Sequence, residues 1–447
     1  MPPPPESAPG HDAQSNGHDS GAETASNGYT YNTTPSPPLP NKPVVPAPQR
    51  ALAPDLLRGL LMLFMAFDHN TVGLNAWRHS TGPPDGERDS VPVDDWNWWF
   101  GYLVRTLSHL CAPGFTFLLG MGVVYFGRSR SRLGWSAARM ARHFAVRGAV
   151  LTAVSVVLGL VLTGGRFWFM NVVLVALGVD YVLAGLLWLG IAATEPALAS
   201  LVDRYIFTDD DDAGRAREPL LEHAGHHTPS ATKPSSKAAA VSWHAHNALL
   251  LALSLVTIWW NIWLSPTHGT CTTTSTSSAN DFWRFWFFEV ISPHVVSPFP
   301  PLAWLSFAIL GLLYARIITA RPQHLSVPSQ VCGNAAAGLL FLAAFVLTRV
   351  LRVGNLSEHC LRAPEHLAQP PAANPYLASP ASFFYIVKYP PDVAFYCFTL
   401  GGTFLLLAAF SAVPPKFATR YLGAVLLRGA HGHPHEHVSA AGRADRA

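Results

Sequence analysis

Long apolar stretches, separated by polar connections, dominate the chain after residue 50. A membrane-spanning helix needs roughly 20 mostly apolar residues, and a helix satisfies its own backbone hydrogen bonds in lipid, which an open sheet does not. The pattern therefore predicts an all-α, polytopic membrane helix bundle with about eight transmembrane helices. The predicted spans are Leu56–Leu74, Trp99–Phe126, Phe144–Leu162, Phe169–Ala192, Ala248–Leu264, Leu302–Ile318, Ala335–Val350 and Val393–Val413.

Polar segments lie at both ends of this apolar region and in its middle. Residues 1–50 are rich in Pro, Ser and Asn and predict a disordered tail. Residues 193–243 predict a disordered cytoplasmic loop that divides four helices from four, within a transmembrane domain at 51–413. Residues 414–447 form a second tail with a His-rich stretch at His431–His437. Such a stretch in a disordered end predicts no metal site.

The basic residues in short loops give the orientation, because Lys and Arg are enriched on the cytoplasmic side. The 76–95 connection is mainly acidic and is assigned to the outside. The next connection is assigned to the cytoplasm, and alternation then puts the N-terminus there too. The aromatic segment Phe282–Phe288 is too short to span and predicts a surface or re-entrant helix on the outer side. The arginines of the cytoplasmic connection are Arg128, Arg130, Arg132, Arg139 and Arg142.

Composition agrees with a membrane protein. Hydrophobic residues make up 49% and charged residues 13% of the chain, against roughly 25% charged in an average soluble domain. The net charge of +3 is too small to indicate nucleic-acid binding. The lipid bilayer is therefore the first expected partner, in an endomembrane, vacuolar or lysosomal membrane, or the plasma membrane.

The five cysteines show neither CxxC spacing nor the density of a disulfide scaffold. In the predicted topology Cys271 and Cys360 are the two that lie in outer loops, where an oxidising compartment permits pairing. We expect a disulfide between them. Two free thiols are the alternative.

Polar side chains recur near the predicted outer ends of several spans. An ionisable side chain at the centre of a span costs about 2.5–3.5 kcal/mol on insertion scales, so such groups usually face a bundle interior or a watery cavity. Their convergence on one face predicts a site that opens outward. A histidine such as His69 could equally be hydrogen-bonded to a neighbouring helix. The residues at this level are His69, His79, His109, Asn171, His294, Lys388 and Asp392.

Several short motifs occur together in a characteristic order. The motifs are Asp55-Leu-Leu-Arg-Gly59 with Asp68-His69, His109-Leu-Cys-Ala-Pro113, Asn171 to Gly178, Pro300-Pro-Leu-Ala-Trp304 with Gly311, and Lys388-Tyr-Pro-Pro391 with Leu400-Gly401. Their order and spacing resemble the heparan-alpha-glucosaminide N-acetyltransferase family over about residues 50 to 411. The resemblance implies a multi-pass enzyme that takes acetyl-CoA, as co-substrate, from the cytoplasm and acetylates an amino sugar or glycan acceptor on the lumenal or extracellular side.

The resemblance places a catalytic histidine shortly after the first helix, on the outer side. His79 fits by its distance from Arg58-Gly59 and His69 fits the Asp-His pattern, so both assignments stay open. An imidazole with a pKa near neutrality can accept the proton of an attacking amine or hydroxyl, or carry the acetyl group itself. The expected catalytic residues are His69, His79, His109 and Asn171, and the expected acceptor-side residues are His294, Trp304, Lys388, Tyr389 and Asp392.

On the cytoplasmic side, Asp55 and Arg58 are three residues apart and can pair on one helix face. Together with Arg147, which lies within a span, they are the candidates for binding coenzyme A. A structural tether explains the Asp55–Arg58 pair equally well. The loop arginines suit the phosphates of coenzyme A, although topology alone also accounts for them.

One departure concerns the end of the chain. Family members continue with further membrane helices after the Lys388-Tyr-Pro-Pro391 motif and its helix, whereas residues 414–447 contain no apolar stretch long enough to span. If such helices line the acetyl-CoA path, the fold could survive without activity. The rival hypothesis is a non-catalytic multi-pass transporter or binding protein whose polar groups line a solute path. A homodimer is left open.

Overall fold

The computed structural model describes residues 52–84, 86–167, 169–171, 173–206, 235–265, 267–271, 281–320, 326–370, 372–414 and 417. The predicted tail at 1–50, residues 207–234 of the predicted cytoplasmic loop and the His-rich end of the chain lie outside these residues.

Helices account for most of the described chain, because a long apolar segment satisfies its backbone in lipid only by coiling. In chain order they are α1 Leu52–Gly73, α2 Trp99–Ser108, α3 Cys111–Arg132, α4 Ala137–Leu162, α5 Leu174–Ile206, α6 Ser236–Trp263, α7 Asp281–Phe287, α8 Leu305–Ala320, α9 Val327–Leu351, α10 Pro364–Leu367, α11 Pro380–Phe384 and α12 Val393–Ala412.

Seven helical segments within the described residues are long and apolar enough to cross a membrane. They are α2 continued by α3, α4, α5, α6, the turn Pro301–Trp304 continued by α8, α9, and α12. This confirms the prediction of an all-α polytopic bundle. The aromatic segment also forms the predicted short helix, as α7.

The first predicted span is helical but is not among the seven, and its crossing of the membrane stays a prediction. In α1, Asp68 bonds Arg105 of α2, while the Leu61 carbonyl accepts a bond from the Cys111 thiol of α3. Later residues of α1 therefore face earlier residues of the second span, so the two run antiparallel. The Leu61 side chain also fills the space left by Gly114.

The second predicted span is interrupted at His109 and Leu110. The cause is Pro113, which has no N–H to donate to the His109 carbonyl and whose ring crowds that carbonyl. Both residues keep right-handed helical dihedrals, so α3 continues close to the path of α2. The interruption leaves His109 at the junction between the two helices.

The predicted 193–243 loop is too long. Helix α5 continues to Ile206 and α6 begins at Ser236. Ser235 caps α6 by accepting a bond from the Ala238 N–H, and its own N–H donates to Asp203 near the end of α5. The predicted loop boundaries were based on polar composition. The helices extend further because Ser235 caps α6 and the residues after 192 continue the helix of α5.

The fourth predicted span starts too early. Residues Phe169–Met170 form a short strand, β1, and α5 begins only at Leu174. β1 pairs in parallel with β3, Val295–Ser297, which pairs antiparallel with β2, Val290–Ile291. The three-stranded sheet joins the outer end of α4 to the segment before α8, so tertiary pairing replaced the first turn of the predicted helix.

Three of the most extensively packed helix pairs cross at glycines. A Cβ on Gly120 would lie 2.0 Å from the Ala308 carbonyl oxygen, and one on Gly311 would lie 1.9 Å from the Phe117 carbonyl oxygen. Small residues of this kind let membrane helices approach closely. Gly120 and Gly311 thus lie on the facing surfaces of α3 and α8. Two further pairs face each other directly, Gly148 with Gly178 between α4 and α5 and Gly338 with Gly401 between α9 and α12.

Candidate functional site

A buried group of ionisable side chains, called here the outer cluster, lies at the end of the bundle predicted to face outward. Its members are Asp68, His79, Glu87, Arg105 and His109. Asp68, Glu87, Arg105 and His109 are almost completely buried, and the His79 side chain is 37% exposed. His79 is therefore the edge of the cluster that solvent reaches.

Arg105 joins the cluster together. Its Nε and Nη2 donate to the Glu87 carboxylate at 3.0 and 2.6 Å, and its Nη1 donates to Asp68 Oδ2 at 3.1 Å. The planar guanidinium presents several donors in a fixed geometry, which suits it to two carboxylates at once. The attraction between the Arg105 guanidinium and the two carboxylates offsets part of the free-energy cost of removing each charge from water.

The loop between α1 and α2 brings His79 and Glu87 to the helices. Asn97 closes this loop by donating to the carbonyls of Arg78 and Ser80 at 2.8 and 2.7 Å. The Thr81 N–H donates to Glu87 Oε1 at 3.0 Å. The loop therefore folds on itself and directs the Glu87 carboxylate inward.

A second segment holds the same loop from the other side. The backbone N–H groups of Lys388 and Tyr389 both donate to the Glu87 carbonyl, at 2.9 and 3.2 Å. The Asp89 N–H in turn donates to the Tyr389 carbonyl at 3.1 Å. The Lys388-Tyr-Pro-Pro391 segment, with a cis Tyr389–Pro390 bond, thus positions Glu87 through its backbone.

The His79 ring is held between two cluster members. Arg105 Nη1 donates to His79 Nε2 at 2.8 Å, so the ring proton lies on Nδ1, which is 3.6 Å from Asp68 Oδ1. Burial, and then the Arg105 charge, lower the pKa of His79 to about 4. At neutral pH the ring is therefore uncharged, and its one lone pair is occupied by Arg105.

Glu87 stays ionised in this setting. Burial alone would raise the pKa of its carboxyl, but Arg105 and His109 outweigh burial and hold the pKa well below its usual range.

His109 differs from His79 in having a nitrogen that no described residue engages. Its Nε2 lies 3.2 Å from Glu87 Oε1, within hydrogen-bond distance although off the ideal direction. The negative carboxylate favours the ring proton on Nε2 and leaves the lone pair on Nδ1. Nδ1 is buried and has no hydrogen-bond partner among the described residues. Such an arrangement can accept a proton at Nδ1 while Glu87 stabilises the charge that forms.

Lys388 and a wall of aromatic rings border the cluster. The buried Lys388 ammonium lies 5.6 Å from the Phe299 ring centre and 5.1 Å from that of Tyr389, within cation–π range. The Phe299 ring stacks on Trp304 at 4.8 Å, and Phe395 lies 5.8 Å from the His109 ring. These rings exclude water from that side of the cluster.

Two asparagines fix this wall and are not part of the cluster. Asn171 Nδ2 donates to Ser297 Oγ at 2.9 Å and to the Phe299 carbonyl at 2.7 Å. Asn261 Nδ2 donates to the carbonyls of Ala303 and Pro391, at 3.1 and 2.9 Å. The contacts of Asn171 support a positioning role in place of the catalytic role expected for it.

The other predicted outer residues have different surroundings. The His69 side chain is 65% exposed, and its Nδ1 lies 2.9 Å from the Met65 carbonyl oxygen. His294 lies at the β2–β3 turn and lines an open depression with Arg166. Asp392 caps α12 by accepting a bond from the Phe395 N–H at 2.7 Å, and burial raises its pKa to about 6. His69 lies at the edge of the cluster, with its Nδ1 3.7 Å from Asp68 Oδ2 and its ring 6.0 Å from that of His79.

At the opposite end of the bundle, Arg58 lies 3.7 Å from Asp55, in the pairing that their spacing predicts. Arg147 lies over the Tyr181 ring at 4.9 Å. Each of the two arginines therefore contacts another side chain of the protein. Coenzyme A binding at these residues stays a prediction.

Sequence reasoning missed Arg105 and Glu87 as site residues. Arg105 lies inside an apolar span, where an arginine usually needs a partner, and this is the signal that could have identified it. Glu87 is one of several acidic residues in its loop, and it reaches the site through contacts with Lys388, Tyr389 and Arg105 that its sequence context does not indicate.

The outer segments around the site are covalently joined. The structure confirms the predicted Cys271–Cys360 disulfide. Residue 360 also lies beside the site loop, because the Val93 N–H donates to the Cys360 carbonyl and the Arg362 N–H donates to the Val93 carbonyl, each at 2.8 Å. The bridge therefore ties residues 267–271 to a segment that pairs with the α1–α2 loop.

A comparison with protein-family models finds no family that matches this chain, and a comparison with curated proteins finds no matching protein.

Proposed function

We propose that the protein is a transmembrane acetyltransferase that moves an acetyl group from cytoplasmic acetyl-CoA to an amino sugar or glycan acceptor on the lumenal or extracellular side. The family motifs in the sequence suggest this activity. The observation that supports it most directly is that His109 Nδ1 has no hydrogen-bond partner among the described residues, while its Nε2 faces the Glu87 carboxylate.

In this proposal His109 is the general base. The acceptor nitrogen attacks the thioester carbonyl carbon and its proton passes to His109 Nδ1. The C–S bond then breaks, and the imidazolium returns the proton to the departing thiolate, so the enzyme ends unchanged. Glu87 stabilises the imidazolium in between. His79 and Arg105 are positioning residues, because the His79 lone pair is engaged by Arg105.

Lys388 is suited to the negative charge that develops on the carbonyl oxygen. Its ammonium is buried, and among the described residues it forms cation–π contacts but neither an ion pair nor a hydrogen bond. A cation aimed at developing charge in a dry site acts far more strongly than in water. On the cytoplasmic side, Asp55, Arg58 and Arg147 are proposed to contact coenzyme A.

The test is an acetyl-transfer assay with purified protein in lipid, labelled acetyl-CoA and a panel of amino sugars. His109→Gln should lower turnover by about 10²–10⁴-fold, the usual contribution of a general base, with little change in coenzyme A binding. His69→Gln is the matched control and should retain activity, because His69 lies apart from Glu87.

Two results would overturn the proposal. Label that reaches neither protein nor acceptor, without coenzyme A binding, would favour the rival in which the outer cluster lines a solute path. Full activity in His109→Gln with loss in His79→Gln would keep the reaction but reject His109 as the base.

A further inference from the structure

The halves of α3 and α4 that are predicted to face the cytoplasm, and the turn between them, carry six arginines. Within the part of the chain that the structure describes, none of the six forms an ion pair. The enrichment of arginine that sets the orientation of a membrane protein depends only on the number of charges in the loop. It does not require the side chains to adopt fixed positions. The six are Arg128, Arg130, Arg132, Arg139, Arg142 and Arg147.

Several of these arginines are nevertheless held in place by aromatic rings. The indole of Trp135, in the α3–α4 turn, lies 5.0 Å from the Arg130 guanidinium carbon and 4.1 Å from that of Arg139. His143 stacks on Phe126 at 4.4 Å, and Arg130 lies over the same Phe126 ring at 5.3 Å. The ring contacts fix the guanidinium planes and leave their N–H edges available.

This surface also contains buried nitrogen atoms that no described residue engages. Arg130 Nε and His143 Nε2 are both buried and lack a hydrogen-bond partner among the described residues. Buried polar atoms are normally paired, so the unpaired Arg130 Nε–H donor, beside several positive charges, favours an anionic acceptor. Phosphate oxygens match guanidinium groups in charge and geometry.

The exposed apolar side of α4 suggests that the phosphate belongs to a lipid headgroup. Val146, Val150, Val154 and Leu158 follow Arg142 at four-residue spacing and are all exposed. At 1.5 Å per residue, the stripe from Val146 to Leu158 is about 18 Å long. One leaflet of a bilayer has a hydrocarbon thickness of about 15 Å. An acyl chain lying along this stripe would therefore place its headgroup at Arg139 and Arg142.

We propose that the α3–α4 turn binds the headgroup of an anionic phospholipid from the cytoplasmic leaflet. Arg139 and Arg142 contact the headgroup, Arg130 and Trp135 hold the site in shape, and the stripe on α4 receives an acyl chain. Anionic lipids are concentrated in that leaflet and attract basic residues next to membrane helices. The inference rests on these contacts and is independent of acetyl transfer.

The experiment measures lipid retention by native mass spectrometry after exchange into phosphatidylcholine alone or into mixtures with phosphatidylserine or a phosphorylated phosphatidylinositol. The wild-type protein should retain the anionic lipid in preference to phosphatidylcholine. Arg139→Gln with Arg142→Gln should weaken that preference by roughly fivefold per arginine. Arg139→Lys with Arg142→Lys keeps both charges and should retain most of the preference for anionic lipid. This variant shows whether substitution at these positions by itself disrupts folding.

The matched control is Arg352→Gln with Arg362→Gln, which removes two exposed charges at the opposite end of the bundle and should leave retention unchanged. Equal retention of both lipid classes by the wild type, or an unchanged preference in the Arg139/Arg142 glutamine variant, overturns the proposal. Inorganic phosphate and coenzyme A are titrated as free phosphate sources. Displacement of the lipid by either at millimolar concentration or below would assign the site to a soluble phosphate compound instead.

Discussion

Arg105 determines the stability of the outer cluster at the scale of single residues. It is the partner of both Asp68 and Glu87, and all three are nearly inaccessible to solvent. Removing one partner of such a buried group leaves uncompensated charge, which typically destabilises by about 3–5 kcal/mol. Lysine cannot replace arginine here, because one ammonium cannot reproduce the two-sided pairing.

We therefore expect Arg105→Gln, which removes the charge, to lower the stability of the protein by about 3–5 kcal/mol, measured by thermal unfolding in detergent. Arg78→Gln is the control, because the Arg78–Asp95 pair is solvent-exposed and exposed pairs contribute about 0–1 kcal/mol. Equal losses in the two variants would show that Arg105 has no special role.

The dependence of stability on pH follows from His79 and Asp392. The pKa of His79 is 6.5 when unfolded and about 4 when folded, so its contribution to stability is lost as the pH falls through that window. The pKa of Asp392 is 3.8 when unfolded and about 6 when folded, so its contribution is lost as the pH rises through 6. The two effects oppose each other between pH 6.5 and 4.

Separate variants should reveal the two contributions. On going from pH 7 to about 4.5, His79→Gln should gain stability relative to the wild type and Asp392→Asn should lose it, as measured by unfolding midpoints. Parallel pH profiles for all three proteins would contradict the pKa shifts of both residues.

Of the outer cluster, the sequence predicted His79 and His109 as site residues, but not Asp68, Glu87 or Arg105. His109 is a polar group in an apolar span, and that exception to the pattern identified it as a candidate. Which nitrogen of which histidine is engaged depends on atoms far apart in the chain, such as Glu87 and Arg105. Hydrophobic periodicity carries no information about such pairings.

At the scale of helices and strands, glycine crossings set how closely the bundle packs. The sequence gives the approximate position of each predicted span, because lipid requires length and apolarity. It does not indicate that β1 replaces the first turn of a helix, since that strand exists only through its pairing with β3. The junction at His109 was readable in principle from Pro113.

We expect Gly120→Ala to destabilise the α3–α8 crossing, because its Cβ would lie 2.0 Å from a backbone carbonyl that cannot move independently. The expected loss is about 1–3 kcal/mol or more, as for overpacked cores, measured by thermal unfolding. Gly122→Ala, two residues away on the same helix, meets nothing within 4 Å and should be neutral or stabilising by up to about 1 kcal/mol. Similar behaviour of both variants would contradict the close crossing.

For the whole molecule, the predicted orientation decides which end of the bundle meets acetyl-CoA and which meets the acceptor. Cys332 is exposed near the start of α9, on the side predicted to face the cytoplasm, while Cys111 and Cys397 are buried and Cys271 is bonded to Cys360. A membrane-impermeant maleimide should therefore label the protein in inside-out vesicles and leave it unlabelled in right-side-out vesicles. Cys332→Ser removes the label and serves as the control. Labelling from the outside would invert the topology.

In the proposed reaction, one protein moves an acetyl group from one side of a membrane to an acceptor on the other. The most direct measurement uses proteoliposomes in which the proposed cytoplasmic face is outward, with labelled acetyl-CoA outside and an amino sugar trapped inside. We expect labelled N-acetylated product inside the vesicles, and His109→Gln should reduce it to the level of empty liposomes. Product that forms only on the side of acetyl-CoA, or no product from correctly folded and oriented protein, would rule out transfer across the membrane.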